Sequence, residues 1–114
     1  MGLIDPSIQS RTACTISAFV GSPTGVVDGE CRDETRLRYL QTHLAQLASM
    51  VAAGIDLRGY YVWTLMDNFE WAEGYNKRFG LVHVDFKTLK RTIKNSGKAY
   101  SEVIAASSRA LARN

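Results

Sequence analysis

The fold of this chain is decided by one stretch of sequence, Leu57-Arg58-Gly59-Tyr60-Tyr61-Val62-Trp63-Thr64-Leu65. The stretch is rich in aromatic and β-branched residues, and its apolar run is nearly continuous. Such a run is typical of a strand that is buried on both faces, as strands are in a parallel sheet. We therefore predict a buried strand over residues 57–65.

An amphipathic helix is predicted before this strand. Asp33 is a plausible N-cap, and Gly54 can end the helix because glycine adopts the left-handed conformation at little cost. Apolar residues recur between them at steps of three and four, at Leu37, Leu40, Leu44, Leu47 and Val51. We predict one helix from Asp33 to Ala53. A helix that leads into a buried strand is an α/β unit.

The segments after the strand are shorter and more polar. Residues 67–78 are predicted to form a polar, aromatic-rich loop, and the alternating residues 79–86 a short strand. A basic turn over residues 87–96 and a second helix over residues 96–111 follow. The predicted inner face of this second helix consists of Tyr100, Val103, Ile104 and Leu111.

Composition and charge favour a globular protein. Apolar residues make up 46% of the 114 residues and charged residues 22%, close to the globular average. The net charge is +3, but acidic residues are interspersed among the basic ones. Aromatic and basic residues do not interleave as a nucleic-acid surface requires. We therefore expect a solvated surface and no nucleic-acid partner.

The cysteines and the N-terminus point to an intracellular protein. Cys14 and Cys31 form neither a disulfide framework nor a metal-ligand spacing, so reduced thiols are expected, without metal or cofactor. The first ten residues lack the basic and apolar regions of a signal peptide. No apolar run approaches the ~20 residues of a membrane span. We expect a cytoplasmic protein with no membrane partner.

The segment from Trp63 to Trp71 carries the candidate chemistry. It places two indoles and two carboxylates, those of Asp67 and Glu70, at and just past the end of the buried strand. Carbohydrate sites use this mixture, because aromatic faces pack on sugar rings while carboxylates and indole N–H groups bond hydroxyls. In a (β/α)8 barrel, substrates bind at this edge.

Purely structural roles for the same residues are also compatible with the residue types and their spacing. Trp63 is equally compatible with an ordinary core position, and Glu70 with a solvated loop charge. Asp67 and Asn68 are expected to fix the loop rather than bind sugar, because short polar side chains cap local backbone groups. The basic run from Lys87 to Lys98 is expected to be solvated.

The pattern from Gly59 to Trp71, followed by Gly74-Tyr75 and Lys77-Arg78-Phe79-Gly80-Leu81, resembles the end of glycoside hydrolase family 1. The resemblance also takes in the upstream helix and runs from about Asp28 to Tyr100. It implies an α/β fold that is part of a (β/α)8 TIM barrel: the last helix–strand unit, a short hairpin and a C-terminal helix. We divide the chain into an atypical segment, residues 1–27, without family match, and a barrel part, residues 28–114.

The resemblance also implies roles for individual residues. Members of the family cleave β-glucosides and related β-glycosides with retention. Glu70 would accept hydrogen bonds from the 4- and 6-hydroxyls of the glycone, and Trp71 would donate its indole N–H to the 3-hydroxyl. Trp63 would form the platform under the ring, and Phe79 would wall the same subsite. Glu70 and Trp71 together favour a neutral sugar over a 6-phosphorylated one.

Neither catalytic carboxylate of the family is found in the sequence. Retaining glycosidases use two carboxyl groups, which the family carries in a Thr/Val-x-Glu-Asn-Gly segment and an Asn-Glu-Pro segment. Neither tripeptide occurs here, so no catalytic residue is assigned. A shifted reading frame and a fused unrelated start both explain this. Codons for Glu-Asn-Gly that are read in a shifted frame can give Ser10-Arg11-Thr12-Ala13, although the spacing to Tyr39 is then somewhat long for the family.

The sequence therefore predicts a β-glucosidase-type glycoside hydrolase by ancestry that has no turnover by itself. The alternative is a small, non-catalytic carbohydrate-binding protein. The expected partners are a β-glucoside or related β-glycoside and a chain that supplies the remainder of a barrel. One barrel strand with its helix leaves open edges, so the chain is expected to be marginally stable or prone to associate.

Overall fold

The computed structural model describes residues 16–17 and 25–113 of the chain. In chain order its elements are β1 (Ile16–Ser17), α1 (Glu34–Ala52), β2 (Tyr61–Val62), a single 3-10 turn (Trp71–Glu73), β3 (Val82–Val84), β4 (Arg91–Ile93) and α2 (Asn95–Ala112). The element order matches the predicted helix–strand unit, hairpin and C-terminal helix. Cys14 lies outside the described residues.

Helix α1 forms where the apolar stripe predicts it and is one residue shorter at each end. Leu40, near the start of the stripe, is buried. Gly54 ends the helix with φ of 89°, and its N–H bonds the Val51 carbonyl at 3.0 Å. The Ile55 N–H bonds the Met50 carbonyl at 3.1 Å. This pair of bonds is the Schellman arrangement, so the predicted role of Gly54 is confirmed.

Asp33 stands at the N-cap position of α1, but its side chain caps the other helix. The carboxylate makes no cap hydrogen bond within α1. It accepts instead from the Ser96 backbone N–H at 2.9 Å and from the Ser96 hydroxyl. These bonds satisfy donors in the first turn of α2. Asp33 therefore ties the starts of the two helices together.

Strands β1 and β2 form a two-stranded parallel sheet. Ile16 pairs with Tyr61 and Ser17 with Val62, so the carboxyl ends of both strands lie at the same edge. The predicted strand over residues 57–65 is regular only at β2, and its expected burial on both faces is wrong, because Tyr61 and Leu65 are 65% and 66% exposed. Covering both faces of a parallel sheet takes more layers than the described residues supply.

The hairpin follows from the second predicted strand. Val82 of β3 pairs with Ile93 of β4, and Val84 with Arg91, in antiparallel register. Strand β4 lies inside the stretch predicted as a basic turn, so that prediction was wrong for residues 91–93. The backbone after Trp63 joins the hairpin: the Thr64 N–H bonds the Phe79 carbonyl at 3.0 Å, and the Leu81 N–H bonds the Thr64 carbonyl at 2.8 Å.

The core of the described residues is small. Its buried apolar side chains are Cys31, Leu40, Leu81 and Val84. The predicted inner face of α2 is only partly covered: the Tyr100 hydroxyl donates to the Tyr60 carbonyl at 3.0 Å, whereas Ile104 and Leu111 are 50% and 76% exposed. Neither described helix is long and apolar enough to cross a membrane. The architecture is that of a partial barrel with its inward surfaces open.

Candidate functional site

Trp63 stands directly after β2, at the carboxyl edge of the parallel sheet. Its indole N–H points to Oε2 of Glu70 at 3.4 Å, a long hydrogen bond. The side chain remains partly open to solvent, at 39% exposure. The peptide bond between Trp63 and Thr64 is cis. The structure thus brings together the predicted ring platform and the predicted carboxylate.

Glu70 is buried, although it lies on a loop. Its backbone N–H bonds the Gly74 carbonyl at 2.8 Å, which closes the turn behind it. Its Oε1 atom has no hydrogen-bond partner among the described residues. A buried carboxylate oxygen without a donor costs free energy. Glu70 therefore has an unused acceptor beside an aromatic ring.

Trp71 and Phe79, the other two predicted sugar contacts, sit differently. Trp71 begins the 3-10 turn with a left-handed φ of 47°, and its ring is 81% exposed. Phe79 is half-buried, and its carbonyl accepts from the residue after Trp63. A hydrogen bond directly joins two of the four predicted residues, Trp63 and Glu70, while Phe79 is bonded to Thr64, the residue after Trp63. Trp71 extends into solvent next to Glu70.

Asp67 is the buried centre of the loop. One carboxylate oxygen accepts from Lys94 Nζ at 3.0 Å and from the Gly80 N–H at 3.0 Å. The other accepts from Arg78 at 2.9 Å and from the Val84 N–H at 3.2 Å. These bonds tie the loop after β2 to the hairpin. The prediction that Asp67 fixes the loop is confirmed.

The charge of Asp67 is stabilised by these contacts. Burial by itself raises the pKa of the carboxyl group, but the hydrogen bonds from Lys94 and Arg78 lower it more. The net effect holds the pKa of Asp67 below its ordinary value, so the group is ionised at neutral pH. The neighbouring Asn68 side chain donates to the Met66 carbonyl at 2.9 Å, which confirms its predicted loop-fixing role.

Lys94 corrects the expectation of a solvated basic run. It is 4% exposed, and its ammonium bonds both Asp67 and the Arg78 carbonyl. Flanking basic residues such as Lys90 and Lys98 are exposed as predicted. The burial of Lys94 could not be predicted from the basic run, because its carboxylate partner, Asp67, lies 27 residues away in sequence.

Arg36 is a further buried cation that the sequence analysis did not assign to the site. Its guanidinium donates to the Gly80 carbonyl at 2.7 Å and to the Trp63 carbonyl at 3.0 Å. Burial lowers its pKa, and the carboxylates of Asp33 and Asp67 oppose that shift. A signal was present: Arg36 precedes Leu40 by four residues and so occupies the apolar stripe of α1.

Acidic residues are missing from the stretch that contains β1. The chain has none between Asp5 and Asp28, and β1 lies within that interval. Among the described residues, no three His, Cys, Asp or Glu side chains are grouped to hold a metal ion. The charged groups at the site are therefore Glu70 and the Asp67 cluster.

Comparison of the sequence with known proteins shows the family to which this chain belongs. The model of glycosyl hydrolase family 1 matches residues 16–109, and thus begins inside the segment set apart at residues 1–27. A β-glucosidase from an Agrobacterium species is 57% identical over 77 residues, which is 68% of this chain and 17% of that protein. The chain thus spans about a sixth of the length of this relative.

Solved structures show the same fold. An Alicyclobacillus herbarius enzyme superimposes with a TM-score of 0.80 and 41% identity, covering 88% of this chain and 22% of that one. The Thermotoga maritima β-glucosidase in complex with glucoimidazole gives a TM-score of 0.76 and 45% identity over 82% of this chain and 21% of that one. Each of the two superpositions covers most of this chain and about a fifth of the matched enzyme.

Proposed function

Because the chain belongs to glycosyl hydrolase family 1, we propose that it carries the glycone-binding loop of a β-glucosidase-type hydrolase. The observation that supports this most directly is the pairing of Trp63 with the buried Glu70, whose Oε1 has no donor among the described residues. A sugar hydroxyl is a suitable donor for that oxygen. The adjacent indole offers an apolar face for the sugar ring.

Each of the four side chains has a role in this proposal. Glu70 accepts hydrogen bonds from the 4- and 6-hydroxyls, and Trp63 packs beneath the ring. Trp71 donates its indole N–H to the 3-hydroxyl, and its high exposure leaves that group free to reach a ligand. Phe79 walls the subsite from the start of the hairpin.

A neutral glycone fits the charge of the loop. Glu70 is an acceptor-only group when ionised, and it would repel a phosphate at the sugar's 6-position. Two cations of this region, Arg78 and Lys94, already bond Asp67. A glucoside or the glycoside of a close epimer is therefore the proposed ligand class.

The chain by itself is proposed to lack turnover. Retaining hydrolysis needs a nucleophile and an acid/base, both of them carboxyl groups flanking the scissile bond. The strand beside β2 is β1, and the sequence around β1 has no acidic residue. Glu70 and Asp67 are committed to the loop and its subsite. A partner that supplies the remainder of a barrel would have to bring both carboxylates for the assembly to turn over substrate.

An alternative proposal is a small non-catalytic carbohydrate-binding protein. The exposed faces of Trp63 and Trp71 favour it, because exposed indoles beside a carboxylate are suited to stacking against sugar. The missing barrel wall counts against it, since ligand sites are usually concave and preformed. The two proposals differ in whether this chain binds sugar unaided.

Two assays on the purified chain separate these proposals. A chromogenic β-glucoside should be hydrolysed no faster than in buffer; clear turnover would refute the claim that both carboxylates are lacking. Titration with glucoimidazole, followed by tryptophan fluorescence, tests unaided binding. A saturable change that Glu70→Gln abolishes and Glu73→Gln retains would favour the binding protein. No saturable change would eliminate that alternative.

A further inference from the structure

We propose that Arg36 is a positioning residue for the glycone site. Its guanidinium holds the carbonyls of Trp63 and Gly80 in a fixed relation, and thereby sets the orientation of the Trp63 ring relative to Phe79. The inference rests on the proposed function, because the site that Arg36 positions is the proposed sugar site. Arg36 lies behind the loop and is not proposed to touch the sugar.

The geometry places Arg36 at the junction of two backbone segments. One nitrogen of the guanidinium bonds the Trp63 carbonyl, which belongs to the platform residue itself. The other bonds the carbonyl of Gly80, the residue that follows Phe79. Two of the three aromatic residues proposed to contact the sugar, Trp63 and Phe79, thus lie at or next to a carbonyl that Arg36 bonds.

Among the described residues, the Trp63 ring makes one side-chain hydrogen bond. Its one hydrogen bond to Glu70 is long, at 3.4 Å, and its ring is partly exposed. The Arg36 bonds are shorter, at 2.7 and 3.0 Å, and the guanidinium is buried. Hydrogen bonds donated by a charged guanidinium at such short distances are strong. The platform is therefore fixed from its backbone rather than from its ring.

Arginine is suited to this task in a way that lysine is not. The guanidinium is planar and rigid, so its nitrogens present donors at a set separation and angle. A lysine ammonium is a compact charge on a flexible stem and would leave one carbonyl without a fixed partner. Arg36→Lys keeps the charge and the helix but removes the fixed geometry, which makes it the informative substitution.

The ring can be observed by selective excitation of tryptophan, because the chain contains two tryptophans and Trp71→Phe leaves Trp63 as the single one. In that background we expect Arg36→Lys to raise the acrylamide quenching constant of Trp63 about twofold, since the ring is released to solvent. Arg38→Lys, at an exposed position of the same helix, should leave quenching unchanged. Circular dichroism establishes that each variant is folded. The samples are kept dilute so that association does not affect the quenching.

A folded Arg36→Lys variant with unchanged quenching would overturn the proposal, as would an equal effect of Arg38→Lys. A second measurement needs no substitution at Arg36. Modification of the wild-type chain by p-hydroxyphenylglyoxal, mapped by mass spectrometry, should be at least about tenfold slower at Arg36 than at Arg38, because only the buried guanidinium is engaged. Equal modification rates at Arg36 and Arg38 in the folded chain would refute the positioning role of Arg36.

Both measurements are made without sugar. Failure of glucoimidazole to bind would therefore leave the quenching and modification results intact. Conversely, if the chain binds sugar but the quenching and modification results show no effect of Arg36, the positioning role alone is refuted. The proposal is supported when quenching rises in Arg36→Lys and Arg36 is protected in the wild-type chain.

Discussion

Asp67 accepts hydrogen bonds from two cationic side chains and two backbone N–H groups, and its side chain is fully buried. Its neighbours Trp63 and Glu70 are joined by a single long bond. The residue that shapes the loop is therefore not one of the residues proposed to touch sugar. Substitutions at Asp67 should act on stability first, and on binding only through the loop.

Replacement of Asp67 by asparagine tests this assignment. The amide cannot pair with Lys94, which remains buried with an uncompensated charge. Removing one partner of a buried ion pair costs about 3 to 5 kcal/mol, a large part of the stability of a small domain. Urea denaturation followed by circular dichroism measures the change. Asp56→Asn, which breaks the exposed pair with Arg58, is the control and should have a much smaller effect.

The same pair predicts a pH dependence. The pKa of Asp67 is lower in the folded chain than in the unfolded chain. Its stabilisation is thus complete above the unfolded value of about 4, and is lost as the pH falls through the folded pKa. The unfolding midpoint of the wild-type chain should fall more steeply below pH 4 than that of Asp67→Asn. Parallel curves would refute the assignment of the shift to Asp67.

At individual positions, the sequence indicates residues with distinctive chemistry but not residues whose role depends on a contact with a distant side chain. Trp63 and Glu70 were singled out as candidates because indoles and carboxylates stand out after an apolar strand. Lys94 was missed because a buried lysine within a basic run looks like its solvated neighbours. Its burial depends on Asp67, and spacing along the chain does not reveal that contact.

Among the elements, the join between the loop after β2 and the hairpin is the tightest. Gly80 passes so close to the loop that an added Cβ would overlap the Asp67 nitrogen and lie 2.6 Å from the Val82 carbonyl oxygen. These are backbone atoms, so a side chain swing cannot relieve the clash. The register of this join depends on a residue without a side chain at position 80.

Gly80→Ala should therefore destabilise the chain by about 1 to 3 kcal/mol or more, as overpacking does. Gly25→Ala is the matched control, because an added Cβ there meets no atom within 4 Å. The free energies of unfolding of the two variants are compared by urea denaturation. Equal stabilities would contradict the described join.

The helices were predicted more closely than the strands. Periodicity and a terminal glycine placed α1 within one residue at each end, because both signals are local. The strand over residues 57–65 was predicted from its apolar composition. That composition is typical of a strand that a complete sheet and its covering layers would bury. The described chain provides one neighbouring strand, so that composition lies exposed at Tyr61 and Leu65.

At the scale of the whole molecule, the open apolar surfaces should determine solution behaviour. Large exposed side chains line the groove between the helices, including Val51, Ile104 and Leu111. Exposed patches and open strand edges promote association. We expect the purified chain to associate increasingly with concentration in sedimentation velocity. A soluble monomer that unfolds cooperatively on heating would contradict this expectation.

The central claim is that Glu70 binds the glycone in a complete family 1 barrel. A chimera tests it most directly: the 77-residue matching segment of this chain replaces its counterpart in the Agrobacterium β-glucosidase, whose remaining barrel supplies the carboxylates. We predict turnover of a chromogenic β-glucoside.

The deciding measurement is kcat/KM of this chimera with Glu70→Gln. We predict that it falls about 10- to 100-fold, the value of a hydrogen bond to a charged group, while the exposed neighbour substitution Glu73→Gln leaves it unchanged. A folded chimera without turnover, or one in which Glu70→Gln is as active as Glu73→Gln, would contradict the account.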